Sequence, residues 1–280
     1  MEPLIGEESW LRAGALLAAF GLLALAEGLL PRRRRQFSRR LRWPHHLALG
    51  LLDLLLVRAL FPAAAVGVAL LAEANGLGLL RLLEAPPAVA VLLSVLALDL
   101  AVYFQHVLLH AVPVLWRLHR VHHADPDLDL TTGLRFHPLE ILLSMLWKSA
   151  VIVALGAPAL AVLVFETLLA ACSLFNHANL GLPSRLERPL RLFLVTPDMH
   201  RVHHSANPQE ADTNFGSTVP WWDRLFGTYR CDPRAGHEAM VLGIGRFDSA
   251  LEQRLDRLLL QPLRGEAGGR RLARRRPALH

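Results

Sequence analysis

The chain has 280 residues, of which 53% are hydrophobic, and its 30 Lys and Arg residues outnumber its 24 Asp and Glu residues to give a net charge of +6. Leu and Ala dominate several apolar runs that reach the roughly 20 residues one helix needs to cross a bilayer core. The composition therefore predicts an integral membrane protein and excludes an ordinary soluble domain. The arginines cluster beside the apolar runs, which favours contact with a membrane surface over binding of nucleic acid.

The first two apolar runs each predict one membrane span, at 11–30 and 47–71. A block of arginines follows the first span. The second span contains Asp53 and Arg58. Charged groups at such depth usually face other helices, so we expect each of them to find a partner there or to lie at the interface.

The remaining apolar runs predict three further spans. The third span covers 88–110. The next stretch, 139–175, would form a helix of about 55 Å, which is too long for a single crossing. Because Gly156 and Pro158 interrupt this stretch, we expect a hairpin of two helices.

The distribution of arginine predicts the orientation of the spans. Seven arginines lie between residues 32 and 42, whereas the first ten residues contain no basic residue. The positive-inside rule therefore places this loop in the cytoplasm and the N-terminus outside. Counting the spans onward brings every clustered histidine, and the basic C-terminal segment, to the cytoplasmic side.

The most specific feature is a set of histidines. The pentapeptide H-R-V-H-H occurs at 119–123 and again at 200–204, and a third pair of histidines is spaced i, i+4 at 106 and 110. Eight neutral imidazoles packed together would leave many ring nitrogens without partners, whereas metal ions accept their lone pairs. Eight ligands exceed what one ion takes, so two ions are predicted, and iron, copper, zinc and nickel all suit imidazole. The predicted ligands are His106, His110, His119, His122, His123, His200, His203 and His204.

Two more histidines are candidate ligands. His177 closes the predicted hairpin at the same side of the membrane, and we expect it to bind metal. His137 precedes Pro138 at a predicted helix start, which leaves it as a ligand, a support for a ligand or a helix cap. The other histidines lack supporting spacing and are expected at the interface or in solvent; they are His45, His46, His237 and His280.

Carboxylates and amides near these motifs are expected to hold the imidazole N–H groups. The alternative is that they form ordinary turns and an interfacial aromatic anchor. The candidates are Asp99, Asp125, Asp212, Asn214 and Asp223.

The motifs H-x-x-x-H, H-x-x-H-H and H-x-x-H-H, in this order across hydrophobic spans, resemble those of the fatty acid hydroxylase / sterol desaturase superfamily. The resemblance covers roughly residues 90–230 and leaves out the first two spans and the basic tail. Short sequence segments in and around the motifs match as well, at 118–123, 135–140, 176–179, 196–204, 214–216 and 222–228.

The resemblance implies an all-α membrane bundle whose cytoplasmic, histidine-rich cap holds two iron ions. With O₂ as co-substrate, such a centre hydroxylates or desaturates an unactivated C–H bond of a lipid. By matching position the eight motif histidines would be iron ligands, with His177 a ninth. Some members carry a further histidine where this chain has Gly181, and His137 is one candidate to replace it.

The resemblance also divides the chain. Residues 1–85 would form two N-terminal membrane helices with the basic loop, 86–258 the catalytic domain, and 259–280 a disordered basic tail. No cytochrome b5-like segment is recognised, so we expect a separate electron donor, a reductase with a ferredoxin or a cytochrome b5-like carrier. The expected location is a bacterial inner membrane.

Two alternatives to a lipid hydroxylase stay open, namely a desaturase that uses the same centre and a non-catalytic membrane metal-binding protein. A metalloprotease would need H-E-x-x-H, which is absent from the sequence. The apolar runs do not distinguish a sterol from an acyl, sphingoid, ether-lipid or carotenoid substrate.

Overall fold

The computed structural model describes residues 2–265, with side chains from residue 13 onward, and within this range the fold is entirely helical, which confirms the predicted fold class. Short 3₁₀ helices occur at Leu130–Leu134, Ala250–Gln253 and Gln261–Leu263. The α-helices are α1 (Glu2–Leu29), α2 (Arg39–Leu60), α3 (Ala64–Ala74), α4 (Leu79–Leu82), α5 (Pro87–Ala111), α6 (Pro113–His123), α7 (Pro138–Leu155), α8 (Ala159–His177), α9 (Ser184–Leu190), α10 (Pro197–His203), α11 (Pro208–Ala211), α12 (Trp221–Leu225), α13 (Gly236–Ala239) and α14 (Leu255–Leu260).

Four helical stretches of the described chain are long and apolar enough to cross a membrane: Arg39–Leu82, Pro87–Ala111, Pro138–Leu155 and Ala159–His177. The last three agree with the predicted third span and hairpin. Within the first predicted span, the described apolar part of α1 runs over Ala13–Leu29 and is shorter than these four stretches. Leucines of α1 and α2 remain exposed, as expected of helix faces that contact lipid.

The second predicted span differs from the structure. A single helix was expected over 47–71, but α2 ends at Leu60 and α3 begins at Ala64. Pro62 lies in this gap, and proline lacks the N–H that would continue the helical hydrogen bonds. Arg58 is exposed, while Asp53 is buried in α2 and its Oδ1 makes no hydrogen bond. The partner expected for Asp53 is therefore not found among the described residues.

The hairpin of α7 and α8 turns at Gly156, whose φ of +66° suits glycine. Gly78 approaches this turn so closely that a Cβ atom on it would lie 2.0 Å from the Gly156 nitrogen. This contact joins the segment between α3 and α4 to the hairpin turn. It marks the end of the bundle opposite to the histidines.

At the other end, the last turn of α5, the first turn of α7 and the last turn of α8 meet. Pro113 ends α5 and starts α6, as expected from its position between two histidine motifs, because proline is well suited to the first turn of a helix. The shorter helices α9 to α13 complete a cap over this end of the bundle.

The N-terminal region is bound tightly to this cap. Arg42 of α2 is fully buried and ion-pairs with Asp125 at 2.5 Å and Asp129 at 2.6 Å. Glu27 of α1 accepts hydrogen bonds from the backbone N–H groups of Leu130 and Asn179, and a further one from an arginine. The basic loop therefore lies on the same side of the bundle as the histidines.

The boundary predicted at residue 259 differs from the structure as well. Residues 259–263 belong to α14 and the following 3₁₀ helix, and Arg120 of α6 donates a hydrogen bond to the carbonyl oxygen of Gln261 at 2.6 Å. This segment is packed because Leu259 is partly buried against the apolar cluster of Leu49 in α2, Val121 in α6 and Leu258. The rest of the predicted tail, residues 266–280, lies outside the described residues.

Candidate metal centre

Nine buried histidines meet at the cap end of the bundle and form two groups. Within each group, the potential ligand atoms all lie within 4.8 Å of one another. The first group contains five histidines and the second contains four. These are the eight histidines of the sequence motifs and His177. The first group is His106, His110, His119, His123 and His203, and the second is His122, His177, His200 and His204.

The helices explain how each H-R-V-H-H motif is shared between the two groups. Residues i and i+4 of a helix point about 40° apart, whereas i+3 turns about 60° to the other side of i. His119 and His123 therefore stay in one group while His122 joins the other. The second motif divides in the same way, and its middle histidine, His203, crosses to the first group.

The spacing of the ring nitrogens fits metal ions. In the first group the Nε2 atoms of His106 and His119, and those of His110 and His123, are 3.1 Å apart. In the second group, the Nε2 atoms of His177 and His200 are 3.0 Å apart. Two imidazole nitrogens that bind one ion at about 2.1 Å and at right angles are about 3.0 Å apart. Without an ion, the lone pairs of most of these nitrogens would face one another, with too few protons between them to form hydrogen bonds.

In three histidines of the first group, Nδ1, the ring nitrogen that faces away from the centre of the group, donates to an oxygen atom of the protein. His106 donates from Nδ1 to the carbonyl oxygen of Phe215 at 2.8 Å, and His203 donates to that of Thr213 at 2.8 Å. His119 donates to Glu140 at 2.7 Å. A proton on Nδ1 leaves the Nε2 lone pair facing the centre of the group, as metal-binding histidines require. Among the described residues, the Nε2 atom of His203 has no hydrogen-bond partner.

The second group is held less completely. His122 donates from Nδ1 to the carbonyl oxygen of Thr132 at 3.1 Å, and His177 donates to that of Ser173 at 2.6 Å. The Nδ1 atoms of His200 and His204 are buried and make no hydrogen bond within the part of the chain that the structure describes. The ring of Phe136 also stacks on His122, with centroids 4.4 Å apart. Sequence reasoning did not find this aromatic contact, since Phe136 lies far along the chain from His122.

Burial keeps these imidazoles neutral. It lowers the pKa of His119 to about 3, because a charged ring would lose its hydration. Burial and the neighbouring imidazoles together lower the pKa of several others well below the ordinary value. These are His122, His123, His200, His203 and His204. Each ring therefore offers a lone pair at neutral pH, as a metal ligand must.

The predicted supporting residues lie at different distances from the rings. Asp212 contacts His110 directly, with its Oδ1 3.2 Å from Nδ1. Asp223 acts one step away, since it accepts the backbone N–H groups of Phe215 and Gly216 at 2.8 Å each. The Phe215 carbonyl in turn holds His106.

Asp99, Asn214 and Asp125 support the backbone around the rings. Asp99 accepts hydrogen bonds from Thr218 and from the indole of Trp222, and Asn214 donates to the carbonyl oxygens of Met199 and Arg230. The hydroxyl of Thr132 donates to Asp125 at 2.7 Å, next to the carbonyl that holds His122. Burial alone would raise the pKa of Asp125, but the nearby guanidinium groups outweigh it and hold that pKa below its usual range.

His137 lies outside both groups. Its Nδ1 atom accepts the backbone N–H of Leu139 and so caps α7, while its Nε2 atom donates to the carbonyl oxygen of Leu259. Both ring nitrogens are thus engaged by the protein backbone. A Cβ atom on Gly181 would lie 3.4 Å from the side chain of Arg32, and the three nearest heavy atoms belong to Arg32 and Leu30. Of the readings open for His137, the cap is the one this geometry favours.

Three further residues were missed or misread from the sequence. Glu140 is buried, and its Oε1 atom accepts a hydrogen bond from His119, while its Oε2 atom makes no hydrogen bond to any of the residues 13–265. A carboxylate in the first turn of an otherwise apolar helix was the available signal. His46 and His237 were expected at the interface or in solvent, but both are buried. His46 forms a hydrogen bond with Thr131, and His237 forms one with Asp232.

A cavity of about 190 Å³ opens beside both groups of histidines and runs between α5, α7 and α8. Histidines of both groups line one end. The walls carry the apolar side chains of Val102, Leu109, Ile141 and Leu169, and the far end carries Lys148. The cavity therefore connects the candidate metal centre to the part of the bundle that is apolar enough to lie in a membrane.

Comparison with known proteins now identifies the chain. The family model for fatty acid hydroxylase matches residues 91–228, a segment that contains all nine clustered histidines. Residues 91–228 belong to the fatty acid hydroxylase family. This result confirms the resemblance expressed by the histidine motifs, and, with the four long apolar helices, it makes the chain a membrane protein.

Several curated proteins are similar to this segment. An ornithine lipid hydroxylase of Rhizobium tropici is 33% identical over 149 residues, which is 53% of this chain and 44% of the relative. Human alkylglycerol monooxygenase is 32% identical over 151 residues, 53% of this chain and 32% of the relative. Rat cholesterol 25-hydroxylase is 28% identical over 149 residues, 52% of this chain and 48% of the relative. The matches thus span less than half the length of each relative, and no solved structure matches the chain.

Proposed function

We propose that the protein is a membrane-bound, O₂-dependent lipid hydroxylase whose nine clustered histidines bind two iron ions. The observation that carries this proposal is the position of the cavity. It joins the apolar interior of the bundle to two groups of imidazoles whose nitrogen atoms are close enough together to bind a metal ion. Bound iron would supply the activation of O₂ and the redox change that cleavage of an alkyl C–H bond needs. A redox-inert ion such as zinc would not supply it.

The residues around the cavity have separate roles in this proposal. Carbonyl oxygens and carboxylates fix the proton of each supported imidazole on Nδ1, so that Nε2 is free to bind metal. The apolar walls bind the lipid segment and exclude water from it. Buried Glu140 lies at the boundary between the histidines and the cavity, where it orients His119.

The relatives support hydroxylation of a lipid. Their names assign them ornithine lipid, alkylglycerol and cholesterol as substrates. A cavity of about 190 Å³ is close to the roughly 150 Å³ that holds one benzene ring, so the four-ring nucleus of a sterol does not fit inside it. We therefore propose that only a short alkyl segment of the lipid enters the cavity, whether it belongs to an acyl chain, an ether-linked chain or the side chain of a sterol.

The overall reaction requires a source of electrons. One oxygen atom of O₂ enters the C–H bond and the other leaves as water, which consumes two electrons and two protons. We propose a separate reductase with a ferredoxin or a cytochrome b5-like carrier. The histidine end would face the cytoplasm of a bacterial inner membrane, as the arginine-rich loop bound to that end predicts.

Metal analysis and lipid mass spectrometry test the function together. We expect the purified protein to contain two irons per chain, and cells that express it to gain a lipid with one added oxygen atom. Loss of two hydrogen atoms instead would identify the desaturase alternative. Zinc without iron, and no change in any lipid, would contradict the proposal and favour a non-catalytic metal protein.

His122→Ala and His203→Ala, one from each group, are the matched variants. Each should lose iron and abolish the oxygenated lipid while the protein still inserts into the membrane. His137→Ala should keep both, because His137 caps α7 and lies outside the two groups. Product formation by both ligand variants would show that the ligand assignment is wrong.

A further inference from the structure

An ion pair lies at the end of the cavity away from the histidines, and one of its two members, Lys148, lines the cavity. Lys148 of α7 and Glu166 of α8 are 2.6 Å apart between Nζ and Oε1, and their side chains are 11% and 21% exposed. Lys148 is the only lysine in the chain, and both residues lie within helices that are otherwise apolar enough to cross a membrane. Such a pair is unusual, because placing charges among apolar helices carries a large desolvation cost.

Stability does not explain the pair. A buried ion pair is often no more stabilising than two well-packed apolar side chains of similar volume. Charged residues within membrane helices more often mark the path of a substrate or ion. Lys148 fits this pattern because it lines the same cavity as the histidines, whereas Arg58, another charge in a predicted span, faces outward.

The position of the pair defines the depth of the cavity. Lys148 follows Glu140 by eight residues on α7, which places it about 12 Å farther from the histidines. One turn nearer to them, Ser144 donates a hydrogen bond to Gln105 of α5 at 3.3 Å. The hydrogen bond joins α5 to α7 and the ion pair joins α7 to α8, so the three helices around the cavity are connected at its inner end.

We infer that Lys148, held in place by Glu166, forms the inner wall of the lipid cavity and sets the length of the chain segment that fits beyond the oxidised carbon. This inference rests on the proposed function, since it assumes that the cavity holds lipid. With about 190 Å³ between the histidines and the wall, only a short segment can pass the metal centre. The oxidised carbon then lies near one end of the inserted segment, and the remainder of the lipid stays outside.

Two double variants separate the bulk of the wall from its charge. Lys148→Ala with Glu166→Ala removes the wall, whereas Lys148→Leu with Glu166→Leu keeps side chains of similar bulk without charges. Leu143→Ala with Leu168→Ala is the control, because these residues lie on the same two helices but are 41% and 47% exposed, outside the cavity. The control also corrects for partition of the probe into the bilayer.

The measurement is the thermal stabilisation of the full chain in phosphatidylcholine nanodiscs by a series of straight-chain 1-alkanols. We expect the wild type to be stabilised most by a short alkanol, and the alanine pair to shift that optimum to longer alkanols. The leucine pair and the control should keep the wild-type optimum. An unchanged optimum in the alanine pair, or an equal shift in the leucine pair, would overturn the inference.

This assay needs no turnover, so the two proposals can fail separately. If no lipid is hydroxylated, the function is wrong whatever the alkanol series shows. If lipid is hydroxylated but the optimum does not move, only the inner wall is wrong.

Discussion

At the scale of single residues, the candidate metal centre depends on the groups that hold the outer side of each imidazole. Glu140 is the most buried carboxylate among them that contacts a ring directly, at 3% exposure. Its Oε1 atom accepts the Nδ1 proton of His119, so it fixes both the tautomer and the orientation of the ring. The ring would otherwise be free to turn toward the cavity that Glu140 also lines.

Replacement of Glu140 tests this role. Glu140→Ala removes the acceptor, and we expect metal affinity to fall about 10- to 100-fold, as is common when the group behind a metal-binding histidine is lost. Glu140→Gln keeps an acceptor oxygen at the same place and should retain most of the metal. The measurement is iron bound per chain during titration with a competing chelator. Equal affinity in Glu140→Ala and wild type would show that His119 does not need this support.

At the scale of helices, buried charges connect α2 to the centre although α2 lies outside the segment that matches the family. Arg42 pairs with Asp125, which accepts the hydroxyl of Thr132, and the carbonyl of Thr132 holds His122. Arg135 lies 3.7 Å from Asp125 on the opposite side. The position of one histidine is thus set through a chain of contacts that begins in the N-terminal region.

Loss of Arg42 should therefore destabilise the fold. Arg42→Met leaves two buried aspartates without their main partner, and breaking such a pair typically costs about 3–5 kcal/mol. Arg40→Met, two residues away and exposed, should change the free energy of unfolding by less than about 0.5 kcal/mol. Chemical denaturation in detergent compares the two variants. Equal stability of both would show that α2 contributes nothing through this network.

At the scale of the whole molecule, the sequence predicted what depends on local pattern. The third span and the hairpin followed from apolar runs and from Gly156, eight of the clustered histidines followed from their spacing, and His177 followed from its place at the end of the hairpin. The break at Pro62 was missed because the apolar composition continues through it. Glu140 was missed because it meets His119 only after α6 and α7 have packed together, 21 residues along the chain.

The spacing within each H-R-V-H-H motif separates its second histidine from the other two, but it does not give the division of all nine histidines into five and four. Adjacent residues His122 and His123 belong to different groups. Which group each ring joins depends on how α5, α8 and α10 surround α6, and those contacts are tertiary. Spacing therefore predicts which histidines come together better than it predicts how they divide into groups.

The orientation in the membrane is a property of the whole molecule, and it follows from one argument about charge. The basic loop is bound to the histidine end: Arg32 pairs with Asp198 at 3.3 Å, and Arg33 donates to the carbonyl oxygen of Met240 at 2.7 Å. Because arginine-rich loops stay in the cytoplasm, the cap should face the cytoplasm and the turn at Gly156 should face outward.

Cysteine labelling tests this orientation in a chain whose two native cysteines are replaced by serine. Arg234→Cys lies exposed on the cap and Asn75→Cys lies exposed at the opposite end of the bundle. In intact cells with a permeabilised outer membrane, a membrane-impermeant maleimide should label Asn75→Cys and spare Arg234→Cys, and lysis should expose both. Labelling of Arg234→Cys alone in intact cells would show that the orientation in the membrane is the reverse of the one predicted. Because the loop and the histidines share one end, such a result would move the electron donor to the outside as well.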